Sequence, residues 1–195
     1  FVDGEITGES ALDGSPMGIG GGPGDGGDPN QSVTVYIETD FPGHAYIKIG
    51  NTIYDYGEWN GGYLKGELND GNGQFGAIGK GILLKVEGKD AEAYVKFRTE
   101  SFPTDFYNIY TLDASKMVNY FENLIKNGTP VQITVPSMRG GVEKGYHIDT
   151  YMVIGNHCAT KVIAALMRGG DFYLENNAKY YNSPISLGNY LDWKY

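Results

Sequence analysis

The 195-residue chain has a single cysteine, Cys158, in the stretch Asn156-His157-Cys158-Ala159-Thr160, followed by the apolar residues Val162, Ile163, Leu166 and Met167. Apolar residues at that spacing behind a polar residue predict a helix with Asn156 as its N-cap and Cys158 in its first turn. Free backbone N–H groups and the helix dipole favour negative charge there, which lowers a thiol pKa and yields the nucleophilic thiolate. The Cys158 N–H, with Asn156 beside it, is a ready oxyanion donor. A thiolate that attacks carbonyl carbon also needs a base, and His44 opens an alternating segment within Gly43-His44-Ala45-Tyr46-Ile47. Cys158, Val162 and Leu166 share one helical face, so the sulfur is expected on the core side. A strand-borne His44 facing that helix would complete a Cys–His pair.

The elements around His44 supply a third group. If Gly50-Asn51 is a two-residue hairpin loop, Ile49 pairs with Thr52, Tyr46 with Asp55 and His44 with Gly57. His44, Tyr46, Ile53 and Asp55 then share a face, with Asp55 diagonal to His44 and able to orient its imidazole. A one-residue slip would turn Asp55 away, and Glu58 is the alternative orienter. The competing reading is structural, because a free cysteine is equally at home as a small core hydrophobe and a strand histidine can simply pack. The other two histidines read differently. His157 neighbours Cys158, but adjacent helical residues do not face each other, so it is expected to point to solvent. His147, near Gly145, reads as a loop or strand-edge residue. His147, Tyr36 and Tyr46 are the candidate substrate contacts.

Residues 1–30 hold ten glycines, Pro16, Pro23 and Pro29, and no apolar period, which reads as a flexible acidic linker. Residues 31–195 read as the folded domain. Val33, Val35 and Ile37 alternate with polar residues as a strand, and Thr52–Tyr56 is the return strand of the hairpin. Residues 57–81, with nine glycines, read as an irregular excursion. Ile82–Val86, Phe106–Tyr110 and Val131–Val135 read as strands and Asp90–Thr99 as a short helix. The strongest helix is 114–126, with Asp113 as N-cap and Met117, Tyr120, Phe121, Leu124 and Ile125 in one stripe. Tyr151–Ile154 leads into the Cys158 helix, and the tyrosine-rich tail ends in a short apolar period from Ile185 to Leu191. The fold class is α+β, an antiparallel meander in front with helices behind.

Charge narrows the function. The net charge is −9, and six of those charges fall in residues 1–30, which contain Asp3, Glu5, Glu9, Asp13, Asp25 and Asp28 and no Lys or Arg. No basic stripe suits nucleic acid. One cysteine excludes an intrachain disulfide and a thiolate-rich metal site, and three histidines without a helical HExxH pair argue against zinc, so no metal or cofactor is expected. No apolar stretch reaches the ~20 residues a membrane span needs, and the start FVDGEITGES has no signal-peptide pattern.

A histidine on a strand, a polar residue on the return strand Tyr54-Asp55-Tyr56-Gly57, and Asn156-His157-Cys158 opening a helix together resemble the circularly permuted papain-like hydrolases. That group includes the permuted NlpC-type peptidases and the lecithin:retinol acyltransferase-like enzymes, in which Cys likewise follows His. The resemblance covers about residues 44–168 and departs from the usual pattern where His157 separates Asn156 from Cys158. It implies a permuted papain-like fold and a Cys158–His44–Asp55 hydrolase that cleaves an amide, with cell-wall peptide the favoured substrate. The glycine-rich leader and Phe1-Val2-Asp3-Gly4 also resemble the junction before the toxin module of an Rhs-type bacterial effector. That likeness implies secretion or delivery into a target cell and a cognate immunity protein as partner. Two other functions stay open. The same triad could act on lipid esters or transfer acyl groups, which an apolar membrane-facing helix would mark. Alternatively the chain is a non-catalytic glycan- or protein-binding module, which predicts an inert Cys158 far from His44.

Overall fold

The computed structural model describes residues 32–40, 42–58, 78–134, 142–152 and 154–195. The stretch 1–30 and most of the 57–81 excursion lie outside them. Seven antiparallel strands form one sheet: β1 (Val33–Glu38), β2 (His44–Ile49), β3 (Thr52–Glu58), β4 (Ile78–Glu87), β5 (Thr104–Ile109), β6 (Thr129–Thr134) and β7 (Val142–Met152). Their order is β5-β1-β2-β3-β4-β7-β6. The helices are α1 (Lys89–Ser101), α2 (Ala114–Asn127), α3 (Cys158–Arg168), α4 (Phe172–Asn177) and α5 (Pro184–Lys194). The α+β class is as expected, but the helices do not all lie behind the sheet.

Alternation along the strands sorts the core into two layers. Val33, Val35, Ile37, Ala45, Ile47, Ile49, Tyr54, Tyr56 and Leu83 pack against Met117 and Phe121 of α2, the buried side of α3, and Leu187 and Leu191 of α5. Tyr46, Ile53, Ile82, Leu84 and Val86 face the other way and are covered by Ala91 and Tyr94 of α1. Each aliphatic side chain buried here stabilises the fold by about 1.5–3 kcal/mol relative to exposure. The larger layer therefore anchors α3, whose Val162, Ile163 and Leu166 are all buried.

The hairpin turn forms as the sequence predicts, but the expected Tyr46–Asp55 and His44–Gly57 pairs are not made. Gly50 has φ of 58°, and Ile49 pairs with Thr52, Lys48 with Ile53 and Ile47 with Tyr54. That ladder stops at Ile47 and Tyr54, whereas β2 stays paired to β1 as far as His44 opposite Glu38 and β3 stays paired to β4. The sheet thus opens between the start of β2 and the end of β3. Asp113 caps α2 by accepting from the Lys116 N–H, as expected. Pro130 lies within β6, where its missing N–H is tolerated because β6 is an edge strand. His147 is in neither a loop nor an edge: it sits within β7, which is flanked by β4 and β6. No helix among the described residues is long and apolar enough to cross a membrane.

Candidate active site

The opening between β2 and β3 is where the residues singled out for chemistry meet. By alternation His44 and Asp55 both lie on the α1 side of the sheet. The His44 Nε2–H donates to Asp55 Oδ1 at 2.6 Å, as the hairpin register requires. Asp55 is fully buried, and its Oδ2 accepts from the Tyr94 hydroxyl at 2.5 Å. Tyr94 is one helical turn from Arg98, whose guanidinium makes a buried two-pronged contact with Glu38 (2.6 and 2.7 Å), the residue paired with His44 across β1 and β2. Two side chains of α1 thus clamp the carboxylate and the strand end that hold the histidine.

Cys158 arrives from the opposite side. It is the first residue of α3 and only 2% exposed. Its sulfur accepts from the Ala45 backbone N–H and is hydrogen-bonded to the His44 imidazole. The Ala45 N–H is free for this because the ladder ends two residues later. In a two-residue hairpin the odd-numbered positions of β2 direct their N–H groups toward β3, and at Ala45 that partner strand has already left. The expected face is therefore corrected. His44 does not face α3 from the near side of the sheet but meets the thiol across the gap between the two strands.

The electrostatics follow from this crowding. Burial alone would raise the Cys158 thiol, but the charge of His44, then the neighbouring His157 ring, then hydrogen bonds from His44 and Ala45 reverse that and hold it at about 6. Burial would lower His44, yet the charges of Asp55 and Cys158 and their hydrogen bonds raise it well above the usual imidazole range. Asp55 is depressed despite burial, chiefly by the charge of His44 and its hydrogen bond, with Arg98 and Tyr94 adding to the effect. The group rests as thiolate, imidazolium and carboxylate, which is the charge state a nucleophilic thiol requires.

The helix start differs from expectation by one residue. His157, not Asn156, is the N-cap. Asn156 sits in a tight turn after β7, closed by the Met152 N–H donating to the Asn156 carbonyl at 2.8 Å and by Gly155 at φ of 96°. Its side chain donates to the Thr150 carbonyl (2.6 Å) and to the Tyr56 hydroxyl (3.3 Å), so Asn156 fixes the entry into α3 rather than capping it. The turn joins a polar cluster in which the Tyr56 hydroxyl donates to Asp149 (2.5 Å) and Lys161 pairs with the same carboxylate (2.6 Å). A Cβ at Gly81, where β4 bulges, would strike both Tyr56 and Asp149, so glycine is what admits the cluster.

His157 does not point to solvent. It is buried beside the Cys158 sulfur, and among the described residues neither ring nitrogen is paired with a nitrogen or oxygen. Tyr46 is also buried, stacked on the half-buried Tyr36 at 4.8 Å, so it lines the inside of the α1 layer rather than an open surface. Its hydroxyl lacks a partner among the described residues, and burial followed by the charges of Glu38 and Asp55 keeps it protonated. His147 lies two strands from β3 and is not brought to Cys158. Glu58 ends β3, and its side chain lies outside the described residues. Tyr94 and Arg98 are the members that sequence reasoning missed. Their i, i+4 spacing on a helix was the available signal. Among the described residues no three His, Cys, Asp or Glu side chains converge as metal ligands.

No protein-family model, curated protein or solved structure matches this chain.

Proposed function

We propose that the protein is a cysteine hydrolase that cleaves an amide through an acyl-enzyme. The observation that carries this reading is the buried relay of the Cys158 thiolate, His44 imidazolium and Asp55 carboxylate, with Nε2 of His44 committed to Asp55 at 2.6 Å. The sulfur attacks the carbonyl carbon, and the C=O electron pair moves to oxygen beside the unpaired N–H at the start of α3. As the C–N bond breaks, the leaving amine takes its proton from His44, which leaves a thioester and a neutral imidazole. Water then gives a proton to His44 and attacks the thioester, releasing the acid and the thiolate. Asp55 keeps the ring oriented and favours its protonated form throughout. Peptide of the bacterial cell wall is the favoured substrate, on the resemblance to the NlpC-type peptidases, and a delivered toxin with a cognate immunity protein is the favoured setting.

The test is the pH profile of iodoacetamide labelling. The thiol is depressed and the imidazole raised, so the reactive ion pair forms as pH rises through about 6 and persists up to the elevated His44 value. Wild-type labelling should rise with a midpoint near 6. In His44→Ala the midpoint should move toward the ordinary thiol value of about 8.5, which cuts labelling at pH 7 by roughly 30-fold. A thiol inert at neutral pH, or a profile indifferent to His44, would sink the hydrolase reading. Digestion of peptidoglycan beside phospholipid vesicles then separates amide from lipid-ester cleavage.

A further inference from the structure

His157 is the second imidazole at Cys158, where its ring helps to depress the thiol but takes no part in the proton relay just described. It is a poor choice for its position. N-caps are usually Ser, Thr, Asp or Asn, because their short side chains satisfy a free helix N–H. Thr160 does the local work instead, its hydroxyl accepting from the His157 N–H (3.0 Å) and donating to the His157 carbonyl (2.7 Å). That bracket fixes the backbone without using the ring. The ring is nevertheless interior: His157 is 3% exposed, and among the described residues neither Nδ1 nor Nε2 is paired with a nitrogen or oxygen, the Cys158 sulfur being the one polar group the ring addresses. Buried polar atoms are almost always paired, because leaving one unmade forfeits its hydration without return. A buried imidazole that addresses only the nucleophilic sulfur has the mark of a group whose oxygen partner arrives with the substrate.

Resting on the hydrolase reading above, we propose that His157 is the side-chain donor of the oxyanion hole, acting with the backbone N–H of Cys158 on the carbonyl oxygen of the scissile amide. A neutral imidazole always carries one N–H, so it can donate without changing its protonation state. As the C–S bond forms, the carbonyl electron pair localises on oxygen, and the His157 N–H and the Cys158 N–H hydrogen-bond to it. No proton is transferred. When the C–N bond breaks, the pair returns to re-form the carbonyl, and His157 is unchanged. The second donor that a thiol hydrolase needs is then a side chain set by the N-cap residue itself.

The experiment separates oxyanion chemistry from thiol reactivity. Iodoacetamide alkylates by displacement and forms no oxyanion, whereas p-nitrophenyl acetate acylates through a tetrahedral oxyanion. Both rates are measured for wild type, His157→Phe and His157→Gln, each above its own thiol midpoint so that the sulfur is fully ionised. In His157→Phe acylation should fall about 100-fold or more while alkylation stays within about 3-fold. His157→Gln, which keeps an N–H donor, should recover most of the loss. Parallel loss of both rates would mean that His157 supports the thiol or the fold, and unchanged acylation would mean that it does nothing; either overturns the assignment. A wild-type protein that is alkylated at neutral pH yet never acylated also overturns it. A wild-type thiol inert to both reagents strikes the hydrolase reading itself and takes this proposal with it.

Discussion

Asp55 and Asp171 are both buried carboxylates, and both accept hydrogen bonds from tyrosine hydroxyls, yet their remaining partners differ in kind. Asp171 caps α4 through the Leu174 N–H (3.2 Å) and receives the Tyr190 hydroxyl (2.6 Å), the Lys194 ammonium (2.7 Å) and the Tyr195 hydroxyl (3.3 Å). All of these lie within the C-terminal segment and tie α5 to α4. Every partner is a donor from the same segment, so the arrangement is closed and local. Asp55 receives Tyr94 from α1 and His44 from β2, and through His44 it is coupled to Cys158 on α3. Its cation is titratable and has a second nitrogen to offer. The same carboxylate chemistry makes an anchor when its partners are saturated and local, and a relay when one partner can still exchange a proton.

That contrast predicts reciprocal losses. Asp55→Asn should have the largest effect, on reactivity. It removes the charge that raises His44 and holds its tautomer, so acylation of Cys158 by p-nitrophenyl acetate should slow by about 10²–10⁴-fold. The new amide can still accept from Tyr94, so the urea midpoint should move comparatively little. Asp171→Ala should do the opposite. It uncaps α4 and leaves the Tyr190 hydroxyl buried without its acceptor, while Lys194 can turn to water. The expected cost is about 2–4 kcal/mol in equilibrium unfolding, with acylation by the folded protein unchanged. If Asp171→Ala slowed the thiol chemistry as severely as Asp55→Asn, the division into anchor and relay would fail.

What the sequence made legible is what short-range patterning encodes. The α2 stripe, its Asp113 cap and the Gly50-Asn51 turn are local, and the turn alone sets which face Asp55 occupies. The hairpin therefore carried the His44–Asp55 contact across a separation of only eleven positions. The clamp on Asp55 was hidden because it is long-range and because α1 has a weak apolar face: its buried residues are Ala91, Tyr94 and Arg98, and a polar helix of that kind reads as solvated. His157 was misread for a different reason. The rule that adjacent residues diverge holds on a helix, but His157 is the cap, with extended backbone (φ −132°, ψ −174°), and its ring turns inward. The crossing of the sheet by the Cys158–His44 pair depends on where the β2–β3 ladder stops, which no local pattern specifies.

The smallest effect is also the sharpest comparison between the two carboxylates. Tyr94→Phe and Tyr190→Phe each delete one hydroxyl from a buried ring and leave its packing in place. Asp171 loses one of several donors and keeps Lys194, Tyr195 and the Leu174 N–H, so Tyr190→Phe should cost under about 1 kcal/mol. Asp55 keeps the His44 hydrogen bond on Oδ1 and the nearby charge of Arg98, but its buried Oδ2 loses the Tyr94 donor. Tyr94→Phe should therefore cost about 1–3 kcal/mol. Losing that donor also raises Asp55, but the carboxylate stays ionised at neutral pH and still charges His44, so the thiol midpoint should move by less than about one pH unit. Paired urea titrations and labelling profiles check both quantities. Equal stability losses from the two tyrosines would mean that Asp55 has further support and that its dependence on Tyr94 is overstated. A large shift of the thiol midpoint in Tyr94→Phe would instead place the tyrosine inside the relay rather than behind it.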